Sequence, residues 1–92
     1  PALLEYELPC AEALLAGTLA CMTAHAQSRC DRHRGLMAQK VAGNLSTLEA
    51  HPAFSPHFRA AIAKLAAQWR AAGAVASRQE RTAVHLANGR LH

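Results

Sequence analysis

The chain has 92 residues, of which 51% are hydrophobic and only 4% aromatic, and its formal net charge is +4. This length predicts a single helical domain, 1–92, with a thin core. No stretch approaches the roughly 20 apolar residues that cross a bilayer, so we expect no membrane contact. Glu5 and Glu7 stand where a secretory signal would be basic. Three cysteines cannot all pair within one chain, which predicts reduced thiols and a cytoplasmic location.

Alanine occupies 22 positions and favours helices, because it loses no side-chain entropy on folding. The charges are unevenly distributed: residues 1–28 carry −3 and residues 29–92 carry +7. This asymmetry permits an anionic partner for the basic part. It permits equally that the acidic N-terminal segment lies on a basic body, in the same molecule or in a neighbouring one. No motif of a nucleic-acid reader accompanies the positive charge, so a solvated basic surface is the expectation.

The N-terminal segment combines an apolar alternation with a proline. Leu4, Tyr6 and Leu8 alternate with other residues and predict an extended arm over 1–8. Pro9 suits the first turn of a helix, so helix 1 is predicted over 9–27. This helix is apolar around most of its circumference and is therefore expected to be central. A stripe of small residues would let a second helix approach closely. Its members are Ala13, Gly17, Ala20 and Ala24.

The boundary between the first two helices is marked only by capping residues. Ser28 and Asp31 are both good caps, which predicts a tight turn near 28–31. The alternative is one long helix that runs through this segment. Helix 2 is predicted over 31–50, and Pro52 disfavours a helical conformation for the residue before it.

Helix 3 has the clearest start in the chain, with Ser55 as N-cap and Pro56 as first helical residue. We predict that it spans 56–72 and stops at Gly73. A capping box that begins at Ser77 predicts a short, weak fourth helix over 78–88. A short hairpin over residues 82–91 is the less favoured alternative.

Together these elements predict an all-α fold. It is a small up-down-up bundle of three main helices, with a short fourth C-terminal helix and an extended N-terminal arm. The large apolar residues at helical spacing are the predicted core anchors. They are Leu14, Met37, Val41, Leu45, Phe58, Ile62, Leu65 and Trp69.

Cysteine and histidine are concentrated around the predicted turn. Cys21 and His25 are spaced i, i+4 near the end of helix 1, and Cys30 and His33 are spaced i, i+3 around the start of helix 2. If the two helices form an antiparallel hairpin, the four could hold one tetrahedral zinc ion. The spacing matches no standard zinc finger. The alternative is structural: Cys21 in the core, His25 at a helix end and His33 in solvent, with no cofactor.

Two further kinds of chemistry could involve the same segment. Arg29, Arg32 and Arg34 could hold an anion at the start of helix 2, where free N–H groups are exposed. A Cys–His nucleophile would also need a base held by a third group and an oxyanion site. No glycine-rich turn near the cysteines provides such a site, so we expect no enzymatic activity.

The expected function is therefore a non-enzymatic intracellular protein–protein interaction or regulatory module. Its expected partner is protein, most simply a second copy in a homo-oligomer, because a small apolar chain often completes its burial by association. A metal-binding helical protein is the first alternative. Binding of an anion or nucleic acid through the basic end is the second, although nucleic acid is not the expected partner.

Overall fold

The computed structural model describes the backbone of residues 2–90 and the side chains of residues 9–75 and 78. It contains three helices, α1 (Ala2–Gln27), α2 (Asp31–Glu49) and α3 (Pro56–Arg90). Both α1 and α3 pack on α2, and the molecule is elongated, with extents of 65 × 20 × 19 Å. No strand occurs within residues 2–90, so the all-helical prediction is confirmed for that part of the chain.

The predicted extended arm over 1–8 is wrong for the residues whose backbone is described. Helix α1 begins at Ala2 and includes Pro9 in its interior. The apolar alternation misled because Leu4 and Leu8 are also spaced i, i+4, which is a helical spacing. Ala, Leu and Glu, which dominate this segment, are all strong helix formers. The helix propensity of these residues outweighs the cost of the N–H donor that Pro9 lacks.

The predicted turn after helix 1 is present, which rules out one continuous helix. Residues 28–30 separate α1 from α2, and Cys30 occupies the N-cap position with an extended backbone at φ −93° and ψ 117°. The Ser28 hydroxyl oxygen accepts a hydrogen bond from the backbone N–H of Cys30 at 3.3 Å. Asp31 lies in the first turn of α2, where its negative charge interacts favourably with the positive end of the helix dipole.

The start of α3 is confirmed, but the predicted stop at Gly73 and the separate fourth helix are not. The Ser55 hydroxyl caps α3 by accepting the backbone N–H of Phe58 at 3.2 Å. Beyond Gly73 the same helix continues to Arg90, which also excludes the hairpin over the described residues of 82–91. Gly73 does not have a positive φ. It lies where α3 crosses α2, and a Cβ there would be 3.2 Å from Cγ of Gln39. The absence of a side chain at Gly73 therefore lets α2 and α3 pack closely.

The core forms where α1 and α3 meet α2. Its buried members are Ala11, Val41, Leu45, Leu48, Ile62 and Ala66, and half-buried residues packed against them include Leu14, Leu15, Met22 and Trp69. The predicted anchors Val41, Leu45 and Ile62 are thus buried, while Leu14, Met37 and Trp69 are half-buried. Phe58 and Leu65 were wrongly predicted as core, since they are 36% and 39% exposed. Ala66 and Gly73 share the side of α3 that faces α2, and this leaves Phe58 and Leu65 on its flank.

Candidate interaction surface

The four residues of the predicted Cys/His cluster have different surroundings in the structure. Among the residues whose side chains are described, no group of three or more His, Cys, Asp or Glu could hold an ion. Cys21 is half-buried against the core, whereas Cys30 and His33 are exposed. The His25 ring meets the Trp69 ring edge-on, with centroids 4.9 Å apart and an interplanar angle of 78°. His25 therefore joins the end of α1 to α3 by ring packing.

The predicted anion-binding arginines surround the start of α2. Arg29, Arg32 and Arg34 are all exposed, and the helix they adjoin has Asp31 in its first turn. A longer basic segment follows in α3, because residues 50–79 contain four lysines and arginines and neither Asp nor Glu. The positive charge of the molecule is thus spread over two helices and is not confined to the predicted cluster.

A shallow groove of about 490 Å³ lies between α2 and α3 on the basic side of α3. Its lining residues are Gln39, Ala42, Gly43, Ser46, Arg70 and Ala74. Nη1 of Arg70 donates a hydrogen bond to the Ser46 hydroxyl at 2.7 Å, which ties the two helices together at this groove. Further along, Nε of Arg59 donates to the backbone carbonyl of Glu49 at 2.7 Å. These two guanidinium groups connect α3 to α2.

The outer side of α1 is a surface of small, uncharged residues. Across residues 9–27, Glu12 is the only Asp, Glu, Lys or Arg. We name five residues, separated alternately by three and four positions, the α1 seam: Cys10, Ala13, Gly17, Ala20 and Ala24. The first four are exposed and Ala24 is half-buried. The seam includes the whole small-residue stripe that the sequence predicts.

Gly17 marks the middle of the α1 seam and faces open space. A Cβ built on Gly17 would meet no atom within 4 Å, in contrast to Gly73 at the α2–α3 crossing. The buried side of α1 is formed by Ala11 and Thr18, and the Thr18 hydroxyl donates to the carbonyl of Leu14 at 2.7 Å. Helix α1 therefore uses one side for packing within the chain and leaves the seam uncovered by the described residues.

A second apolar surface lies along the flank of α3. Phe58 and Leu65 are 36% and 39% exposed on this flank, and Val75, on the neighbouring side that also carries Lys64, is 43% exposed. A smaller hollow beside it is lined by His25, Gln68, Trp69 and Ala72. This flank carries large side chains and lies on the opposite side of α3 from Arg70, so it offers a different kind of surface from the α1 seam.

No described helix is long and apolar enough to span a membrane. Comparison of the chain with protein-family models, with curated proteins and with solved structures finds no match in any of the three.

Proposed function

We propose that this protein is a non-enzymatic protein–protein interaction module that associates with itself through the α1 seam. The observation that carries the proposal is an exposed helix side of small, uncharged residues with open space at Gly17. Charged residues are depleted at the centre of protein interfaces, because their desolvation opposes binding. Small side chains also allow two helices to approach closely, so that backbone and Cβ atoms contribute to packing.

The small size of the chain supports self-association through this surface. A chain of 92 residues has a thin core, and here that core is built largely from alanine, valine and leucine. Burying the α1 seam against another subunit removes further apolar surface from water and adds stability. A regulatory role fits such a module, because the fraction of associated protein changes with protein concentration.

The test compares glycine substitutions in sedimentation equilibrium of the full chain. Gly17→Glu introduces a charge and a long side chain into the seam, and we expect it to weaken the dimer at least tenfold. Gly43→Glu is the matched control, since Gly43 is also an exposed helical glycine with no atom within 4 Å of its Cβ position. It should leave the dimer unchanged. The wild-type protein should be dimeric at micromolar concentration.

A third variant separates the α1 seam from the α3 flank. Leu65→Glu places a charge among the exposed apolar residues of α3 and should leave the dimer intact. If Leu65→Glu dissociates the dimer and Gly17→Glu does not, the interface lies on α3 and the proposed use of α1 is wrong. A single-chain mass at every concentration would reject self-association altogether.

Anion binding is the second candidate, because residues 50–79 carry four basic residues without an acidic one. Replacing Arg29, Arg32 and Arg34 together by Ala should flatten the salt dependence of binding to a fluorescent single-stranded oligonucleotide, if these side chains contact phosphates. We expect weak binding at most. No binding at low salt would remove this candidate and leave the basic residues as a solvated surface.

A further inference from the structure

We infer that the groove between α2 and α3 binds an acidic segment of a partner protein, with a carboxylate of that segment held by the Arg70 guanidinium. The groove measures about 490 Å³ and is lined by residues of both helices. It lies on a different pair of helices from the α1 seam, so its use does not depend on self-association. Three properties of the groove point to this occupant: an oriented guanidinium, an excess of positive charge and a lining of small residues.

Arg70 is a cation whose position in the groove is set by a neutral partner. Its Nη1 donates a hydrogen bond to the Ser46 hydroxyl at 2.7 Å, and the residue is exposed. A guanidinium carries five N–H donors in one plane, so this bond leaves most of them available to a ligand. A carboxylate matches that planar fork and can accept two parallel hydrogen bonds from it. Ser46 therefore orients a carboxylate-binding group without neutralising its charge.

The charge around the groove is positive. Residues 50–79 contain no Asp or Glu, and the acidic residues of α2 are its first and last, Asp31 and Glu49, neither of which lines the groove. In the part of the chain that the structure describes, the Arg70 guanidinium is bonded to a hydroxyl and not to a carboxylate. Arg78, about two turns beyond Arg70 in α3, is also exposed and adds a second positive charge. A segment with acidic side chains is complementary to this surface.

The rest of the lining suits a peptide better than a nucleic acid. Ala42, Gly43 and Ala74 are small and uncharged, and no atom lies within 4 Å of a Cβ built on Gly43. A peptide segment can lie across such an open groove with its backbone and aliphatic atoms on the small residues. None of the described residues that line the groove is aromatic, so a base has no ring to stack on there. An acidic peptide is therefore favoured over a nucleic-acid strand.

Fluorescence anisotropy with a synthetic peptide tests the charge recognition. The probe is a fluorescein-labelled peptide built only from glutamate and alanine, and the full chain is titrated into it at an ionic strength of about 50 mM. Its counterpart carries glutamine in place of every glutamate. We expect the acidic peptide to bind and its counterpart to bind at least about tenfold more weakly. Equal binding of the two peptides, or a Kd above about 1 mM for the acidic one, would overturn the inference.

Arginine variants show whether Arg70 is the carboxylate-binding group. Arg70→Gln should weaken binding of the acidic peptide at least about tenfold. Arg34→Gln is the matched control, since Arg34 is exposed on α2, loses the same charge and does not line the groove. It should change the Kd by less than about twofold. Equal effects would indicate general attraction to a basic protein. Arg70→Lys keeps the charge without the fork and should bind clearly more weakly than wild type, whereas wild-type affinity would contradict recognition by the guanidinium.

Glycine variants show whether the peptide occupies the groove itself. Gly43→Leu fills part of the groove without changing the charge, and it should weaken binding about tenfold. Gly17→Leu is the matched control, because Gly17 is an exposed helical glycine of α1 with equal space around it. It should bind the peptide as wild type does. Urea denaturation establishes that both variants are folded. Wild-type affinity of folded Gly43→Leu would place the peptide elsewhere and overturn the inference.

Two further outcomes separate this groove from the other proposals. If a fluorescent single-stranded oligonucleotide binds more tightly than the acidic peptide and loses its affinity in Arg70→Gln, the occupant is nucleic acid and the inference is wrong. A single-chain mass in sedimentation would reject self-association through the α1 seam. Specific binding of the acidic peptide by that monomer would still support the groove as a docking site.

Discussion

The interface between α2 and α3 differs in kind from the attachment of α1. Helices α2 and α3 approach so closely at Gly73 that a Cβ there would crowd Gln39, and Arg59 and Arg70 hydrogen-bond across the pair. Helix α1 contributes Ala11 to the core and touches α3 through the rings of His25 and Trp69. The difference indicates that α2 and α3 form a closely fitted pair, while the described residues leave one side of α1 uncovered.

The largest expected effect comes from the residue that connects the two regions. Trp69→Ala removes a half-buried ring that packs on both the core and His25. We expect the free energy of unfolding to fall by about 2–3 kcal/mol, less than the ~3–5 kcal/mol of a fully buried aromatic residue. Urea denaturation measures this. Leu36→Ala is the control, because Leu36 is 54% exposed and its loss should cost no more than about 0.5 kcal/mol. Equal effects would contradict the assigned role of Trp69.

Gly73→Leu tests the close fit of α2 and α3. The Cβ of a leucine there would lie 3.2 Å from Cγ of Gln39, so Gln39 or the helices must shift to admit the longer side chain. The expected loss of stability is about 2 kcal/mol, the usual cost of overpacking. Gly43→Leu, at an open position on α2, should instead stabilise the protein by about 0.5–1 kcal/mol through higher helix propensity. If Gly73→Leu is also stabilising, the crossing is not as close as described.

Pro9→Ala tests the structure of the N-terminal part of α1. Proline inside a helix removes a backbone donor and costs up to about 3 kcal/mol relative to alanine. We expect the substitution to raise the free energy of unfolding by about 1–2 kcal/mol, less than the full cost of the proline because the end of the helix frays. The far-ultraviolet helical signal should rise as well. An unchanged helical signal would indicate that residues 2–8 are not helical in solution.

The smallest expected effect concerns the hydrogen bond between Arg70 and Ser46. Ser46→Ala removes the acceptor at 2.7 Å, but Arg70 is exposed and water replaces the lost partner. The free energy of unfolding should fall by about 0.5 kcal/mol. Loss of 2 kcal/mol or more in the same denaturation assay would mean that this bond is central to the α2–α3 pair.

Features with a single local cause were predictable from the sequence. Ser55 followed by Pro56 predicts the start of α3, because the cap and the proline act within one turn. The apolar spacing of α2 likewise predicts that Val41 and Leu45 are buried. Gly73 was misinterpreted because a glycine that ends a helix and a glycine at a helix crossing look alike without the partner helix. Phe58 and Leu65 were misplaced because periodicity identifies a helix side but not how much of it is covered.

The features of the candidate site also differ in whether they depend on one helix or on contacts between helices. The small-residue stripe of α1 could be predicted because it depends only on spacing within one helix. The proposed Cys/His site depends on the convergence of two helix ends, which is a tertiary property, and in the structure His25 packs on Trp69 of α3. Nothing near Cys21 in the sequence indicates that contact. The sequence is informative about sides of helices and much less about which helix covers them.

The contact between His25 and Trp69 gives the molecule an intrinsic optical reporter. Trp69 is the only tryptophan in the chain, and the one ring described against it belongs to α1. Its fluorescence therefore responds to whether α1 is seated on the other two helices, since undocking would expose the indole to water and shift the emission to longer wavelength. Movements of a single helix can thus be followed in the unlabelled protein.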